Sequence, residues 1–73
     1  MPKLPVLSGK DIIRALEKDG FRIVRQKGSH ISLQKGIYKT VVPLHNELAK
    51  GTLLGILKQC RLSKENLIDL LRE

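Results

Sequence analysis

The groups able to move a proton near neutral pH are two histidines, His30 and His45, each set in a short string of its own. In Gly28-Ser29-His30 the glycine accepts a positive φ, so the backbone at that turn can approach a ligand closely. An imidazole, with an unperturbed pKa of about 6.5, can take or give a proton there. Cations beside it would bias it toward the neutral, base-competent form. In Pro43-Leu44-His45 the proline fixes a sharp exit from a strand and holds His45 near the sheet end. A plainer role exists for each: a lone strand histidine is commonly a surface residue, and a loop histidine commonly bonds to backbone.

The charge around these strings is one-sided. Residues 20–46 contain Arg22, Arg25, Lys27, Lys35 and Lys39 and no Asp or Glu. The seven acids, Asp11, Glu17, Asp19, Glu47, Glu65, Asp69 and Glu73, lie elsewhere. Lysine and arginine on strands can simply deter edge pairing. A run with no counter-charge points instead to a phosphate-binding sheet face. Other chemistry is poorly provided for. Cys60 cannot form an internal disulfide, and one cysteine with two histidines is a weak metal set, so no metal and no cofactor are expected. Cys60 reads as a buried, inert thiol on a helix stripe. Gly51-Thr52, opening a helix, suits an anion or plain capping.

Size and balance bound the rest. A chain of 73 residues makes one small domain, residues 1–73, which buries only about 60% of its unfolded surface. A dinucleotide fold, a second domain and a large substrate cavity are not expected at this size. The net charge of +7 favours a polyanion: nucleic acid first, an acidic protein second, an anionic membrane third. Aromatics are 3%, Phe21 and Tyr38, which argues against RNA binding by serial base stacking. No apolar run approaches the ~20 residues of a membrane span, and the first seven residues form no signal-peptide core. With one cysteine and no disulfide staple, a reducing cytoplasm is the expected compartment.

The elements that must carry these groups follow from periodicity and caps. Pro2 and Pro5 keep residues 1–7 extended. Ser8 caps a helix over about Gly9–Asp19, with Asp11 in its first turn, Leu7 and Ile12 as a hydrophobic staple, and Gly20 just past its end. Ile12, Ile13 and Leu16 form its apolar face. Three β-rich runs follow, Phe21–Gln26, Ser29–Gln34 and Ile37–Val42, separated by Lys27-Gly28 and Lys35-Gly36 as two-residue hairpin loops. That spacing predicts Val24 opposite Ile31, Arg25 opposite His30, Leu33 opposite Tyr38, Ile31 opposite Thr40, Ser32 opposite Lys39 and Val42 opposite Ser29. One face then carries Arg22, Val24, Ile31, Leu33, Tyr38, Thr40 and Val42, for packing on helices. The other carries Ile23, Arg25, His30, Ser32, Gln34, Lys39 and Val41, polar and basic apart from Ile23 and Val41. Pro43 ends the third strand. A second helix over about Gly51–Cys60 shows Leu53, Ile56, Leu57 and Cys60 on one stripe. Ser63 caps a third helix striped by Leu67, Ile68 and Leu71. The class is α+β in the order αβββαα, a three-stranded antiparallel sheet with helices on one face.

The ordered set of strings resembles one family. Gly20-Phe21, Arg25-Gln26-Lys27-Gly28-Ser29-His30, Val42-Pro43-Leu44-His45, Lys50-Gly51-Thr52 and Ile56-Leu57-Lys58-Gln59 together look like the HicA (YcfA-like) toxins, over about Ser8 to Leu71. That resemblance implies a fold similar to double-stranded-RNA-binding domains. It implies a ribosome-independent mRNA interferase, acting without a metal cofactor, from a prokaryotic toxin–antitoxin module, with a cognate HicB antitoxin that covers the active site. By motif, His30 is the catalytic residue, and His45 is a second catalytic or RNA-positioning residue. Where the family often shows Ala-Gly after the Lys-Gln of its second helix, this chain has Cys60-Arg61, a departure that touches the helix exit and not the site.

The expected reaction is RNA cleavage by transphosphorylation. His30 would serve as base or acid, and Arg25, Lys27 and Lys39, with the Gly28-Ser29 backbone, would hold the phosphate. The partner for the second proton transfer is open among His45, a lysine and water. Two other classes compete: a non-catalytic RNA-binding module on the same basic face, and a pure interaction domain for an acidic protein.

Overall fold

The computed structural model describes residues 4–72, so Pro2 of the expected lead-in lies outside the described residues. The order is α1 (Gly9–Lys18), β1 (Arg22–Lys27), β2 (His30–Lys35), β3 (Tyr38–Pro43), α2 (Lys50–Gln59) and α3 (Lys64–Arg72). The strands form one antiparallel sheet in the order β1-β2-β3. The class is α+β, as the periodicity predicts.

Helix ends are defined by local hydrogen bonding. The Ser8 hydroxyl accepts from the Asp11 N–H (3.1 Å), and the Asp11 carboxylate accepts from the Ser8 N–H (3.0 Å), closing a capping box. The Ser8 backbone N–H first, and then the Ser8 hydroxyl, hold the Asp11 carboxyl below its ordinary range. The Phe21 N–H bonds the Leu16 carbonyl and the Gly20 N–H that of Glu17, a Schellman ending. Leu16 and Phe21, both buried, supply its apolar contact. Helix α2 ends in the same way, through Leu62 N–H to Leu57 carbonyl and Arg61 N–H to Lys58 carbonyl. There the left-handed position is held by Arg61 at φ +59°. Ser63 and Asn66 exchange backbone and side-chain bonds (3.0 and 3.1 Å) at the start of α3.

Helices cover one face of the sheet. Ile12, Leu16, Leu33, Val42 and Leu67 are fully buried between the layers, with Phe21, Ile31, Ile56 and Leu57 around them. The sheet positions among them are those the alternation assigns to the helix-facing side of β2 and β3.

The register corrects the expectation. Lys27 lies opposite His30, Gln26 opposite Ile31 and Arg25 opposite Ser32. On the other side Ile31 pairs with Val42, Leu33 with Thr40, Ser32 with Val41, Gln34 with Lys39, Lys35 with Tyr38 and His30 with Pro43. The expected pairs Val24–Ile31, Arg25–His30, Leu33–Tyr38, Ile31–Thr40, Ser32–Lys39 and Val42–Ser29 therefore do not form. Each strand runs one residue later than expected, because the loops are Gly28-Ser29 and Gly36-Ile37. Both glycines sit at φ +59°, while neither Ser29 nor Ile37 has a positive φ. Glycine at the first central position is the signature of a type II′ turn, whereas the Lys-Gly reading assumed glycine at the second. Each turn is also braced by a glutamine: Gln26 Nε2 donates to the Gly28 carbonyl (3.3 Å), and Gln34 Nε2 to the Gly36 carbonyl (2.9 Å).

The shift leaves the faces of β2 and β3 as assigned, because moving each partner strand by two positions preserves the alternation. Strand β1 differs. A bulge between Ile23 and Arg25 inserts Val24. Beyond it Ile23 pairs with Leu33, on the helix-facing side, and Arg22 with Gln34, on the open side. Both assignments reverse the expected ones. Val24 moves to the open side too, lining surface hollows with Ser32, Lys39 and Val41 and with Arg22 and Gln34.

Candidate active site and nucleic-acid interface

The open face of the sheet carries the groups singled out above. His30 begins β2, exposed, with Lys27 directly across from it on β1 and Pro43 on β3. Directly opposed residues hold their Cβ atoms roughly 5 Å apart, so an ammonium and an imidazole share one patch here. Arg25 follows at the level of Ser32, about 7 Å along the strand, and Arg22 and Lys39 flank Gln34, about 13 Å from His30. The cations thus form a ladder along β2 rather than a ring around the imidazole. Lys39, expected beside the reacting phosphate, is at the ladder's far end.

These cations are unneutralised. Among the described residues, no Asp or Glu pairs with Arg22, Arg25, Lys27 or Lys39. Lys35 is engaged elsewhere, bonding Asp19 at 3.3 Å and lying 5.9 Å from the centre of the Phe21 ring. It belongs to the packing of the α1 exit, not to the ladder.

The end of the sheet near His30 is held by backbone. The Leu44 N–H bonds the Ser29 carbonyl at 2.7 Å, extending the β2–β3 pairing one step past His30–Pro43. The Gly9 N–H bonds the His45 carbonyl at 2.9 Å. A Cβ on Gly9 would collide with the Pro43 carbonyl, so α1 begins flush against the Pro43-Leu44-His45 segment. His45 is exposed, and its main chain is anchored to the helix start. The two strings of the sequence are therefore brought to one end of the sheet, His30 through its strand and His45 through the segment that seals it.

Cys60 is buried, and burial pushes its thiol up to about 11, partly opposed by a bond with the Thr40 side chain. It offers no nucleophile at neutral pH. Gly51 and Thr52 are exposed at the start of α2, where Ala49 provides no side-chain cap. No three His, Cys, Asp or Glu side chains gather to hold a metal ion among the described residues. No described helix is long and apolar enough to cross a membrane.

Sequence reasoning missed Arg22, Val24 and Gln59. The signal for the first was present: an arginine placed on an otherwise apolar face is an inconsistency that a bulge resolves. Gln59 had no such marker. It becomes visible through the Thr40 hydroxyl, which is buried and donates to Gln59 Oε1 at 2.7 Å.

Comparison with curated proteins and with solved structures gives no match. A family model described as the HicA toxin of bacterial toxin–antitoxin systems matches residues 9–62, which run from the first residue of α1 through the exit of α2 and include both histidine strings. That match spans well over half of the chain, which therefore belongs to the HicA toxin family, a membership that implies an antitoxin partner.

Proposed function

We propose that this toxin is a metal-independent endoribonuclease, an mRNA interferase, with His30 as its catalytic acid or base. The observation that carries the reading is an exposed imidazole directly opposed to Lys27, at the head of a cation ladder with no acidic partner among the described residues. Cleavage needs the 2′-oxygen to attack phosphorus and the bond to the 5′-oxygen to break, leaving a 2′,3′-cyclic phosphate. One group takes the 2′-OH proton, and one delivers a proton to the departing 5′-oxygen. His30 makes one transfer, a contribution of roughly 10²–10⁴-fold. The other falls to His45, a lysine or water. Lys27 stabilises charge on the phosphorane, and Arg25 and the Gly28-Ser29 turn position the phosphate. Lys39 and Arg22 hold phosphates further along the strand.

The bare basic face also suits regulation. A cognate HicB antitoxin of acidic character would associate quickly by electrostatic steering and occlude His30. Both events would take place in the cytoplasm.

The test is incubation of the purified chain with a long mRNA in EDTA, beside His30→Ala. Cleavage by the native chain alone supports the enzyme. RNA bound but intact with both proteins indicates a non-catalytic RNA-binding module instead.

A further inference from the structure

Across the middle of the open face Arg25, Ser32 and Val41 are directly opposed, and the bulged Val24, next to Arg25, adds a second exposed valine to this row, the two valines at 54% and 49% exposure. The bulge creates this row. With strict alternation Val24 would face the helix side, and it is the inserted residue that turns it outward. Bulges are over-represented beside active sites because they re-aim a side chain in this way. The result is a cleft of about 290 Å³ lined on the open face by Val24, Ser32, Lys39 and Val41, with Leu33 and Thr40 beneath them and with the exposed Gln59 of α2, the helix packed on the edge strand β3. It is at the small end of the roughly 300–1,000 Å³ typical of ligand pockets. Val24 and Val41 give it two aliphatic sides, and Ser32, Lys39 and Gln59 supply its polar groups.

Position and polarity identify the occupant. The cleft lies beside Arg25 and between His30 at one end of the ladder and Arg22 and Lys39 at the other. A strand whose phosphates follow the ladder brings a base over Ser32. We infer that this cleft is a nucleobase subsite, taking the base of the nucleotide next to the cut, with Gln59 reading its edge. The inference rests on the ribonuclease reading and names a specificity determinant for it.

The hydrogen-bonding character sets the preference. The Thr40 hydroxyl donates to Gln59 Oε1, which fixes the carboxamide and leaves its NH₂ to serve as donor. Lys39 is donor only. The Ser32 hydroxyl donates and accepts alike and so does not discriminate, whereas the donors of Lys39 and Gln59 fit a base edge made of acceptors, such as O4 of uracil or O6 and N7 of guanine. They disfavour an exocyclic amine, such as N4 of cytosine. Flat apolar sides accept any base, so selectivity comes from the edge.

The test uses the full chain carrying His30→Ala, so that RNA stays intact, and short oligouridylate and oligocytidylate of equal length, followed by fluorescence anisotropy. Uracil and cytosine share one ring shape and differ at that edge. Oligouridylate should bind roughly fivefold more tightly, the worth of about one net hydrogen bond. Gln59→Glu keeps the acceptor for Thr40 and removes the donors, so the ratio should invert toward oligocytidylate whatever the overall loss from added negative charge. Equal affinity for the two RNAs, or a ratio untouched by Gln59→Glu, overturns the subsite. In either case cleavage by the native chain would leave the ribonuclease reading standing. Absence of binding to both RNAs overturns the two together.

Discussion

Lys27 and His30 face each other as a cross-strand pair at the mouth of the β1–β2 turn. The turn itself, Gly28-Ser29, is two residues long, with Gly28 at φ +59°, and together with the Gln26 side chain on the Gly28 carbonyl it fixes their separation. If the phosphorane is stabilised there, Lys27→Ala should lower the cleavage rate by about 10–100-fold with little change in thermal stability, because an exposed lysine away from packing contributes little to folding. Lys27→Arg should restore much of the rate. Single-turnover kinetics beside a melting curve distinguish a lost cation from a damaged turn, and an unchanged rate in Lys27→Ala would remove this residue from the mechanism.

Lys39 behaves differently on this geometry. It pairs with Gln34, about 13 Å from His30, too far to touch the same phosphate. Lys39→Ala should weaken RNA binding and reduce the slope of log K against log salt by about 0.7, the increment for one single-strand phosphate contact. The single-turnover rate at saturating RNA should hold. A fall in that saturated rate as large as that of Lys27→Ala would show the ladder geometry to be wrong.

The same contrast explains what the amino-acid order reveals and what it hides. Ser8, Gly20 and Ser63 mark helix ends because each satisfies specific orphan backbone groups, and those ends fall within a residue of expectation. The faces of β2 and β3 are legible because burial enforces alternation. The turns are less so: Lys27-Gly28-Ser29 allows glycine at either central position, and only φ decides between them. The bulge at Val24 has no local marker at all, since Arg22–Lys27 contains no glycine or proline. What exposes it is a conflict between levels, an arginine in a core column, which local rules do not resolve. His30 and Arg25 fall on the open face in either register, because a shift of two positions preserves alternation, whereas the place of Gln59 depends on tertiary packing.

Gly9 links stability to the site. Its N–H holds the His45 carbonyl, and a side chain there would strike the Pro43 carbonyl, itself across from His30. Gly9→Ala must push α1 away from the sheet end, an overpacking cost of roughly 1–3 kcal/mol. Gly→Ala at a compatible helical position normally stabilises, so a lowered midpoint in urea is diagnostic. Cleavage should fall as well, from displacement of the Pro43-Leu44-His45 segment, and a stabilised Gly9→Ala protein would contradict the close approach.

Cys60 supplies the pH-dependent expectation. Its thiol is raised to about 11 by burial, above the ordinary 9.0 of an exposed group. Below pH 9 it is neutral folded or unfolded and contributes no pH dependence. As pH rises from 9 through 11 the unfolded chain loses this proton more readily, so stability should decline over that window. In Cys60→Ala this contribution vanishes, at the cost of a small core cavity. At neutral pH a thiol reagent should label the native protein slowly and the denatured protein at once.

Arg61 is the clearest opportunity for stabilisation. It occupies the left-handed position of the α2 Schellman ending at φ +59°, the one described residue other than glycine with a positive φ. The cost of that conformation for a side chain with a Cβ is about 1–2 kcal/mol, and glycine avoids it. Part of that gain is offset by the greater freedom glycine has when unfolded. Arg61→Gly should therefore add about 1 kcal/mol and raise Tm by about 4–8 °C, the shift expected per kcal/mol in a domain of this size. Arg61 is exposed at the exit of α2 and outside the ladder, so cleavage should be retained. A melting temperature lowered by Arg61→Gly would mean that the arginine side chain contributes more to the folded state than its backbone strain removes.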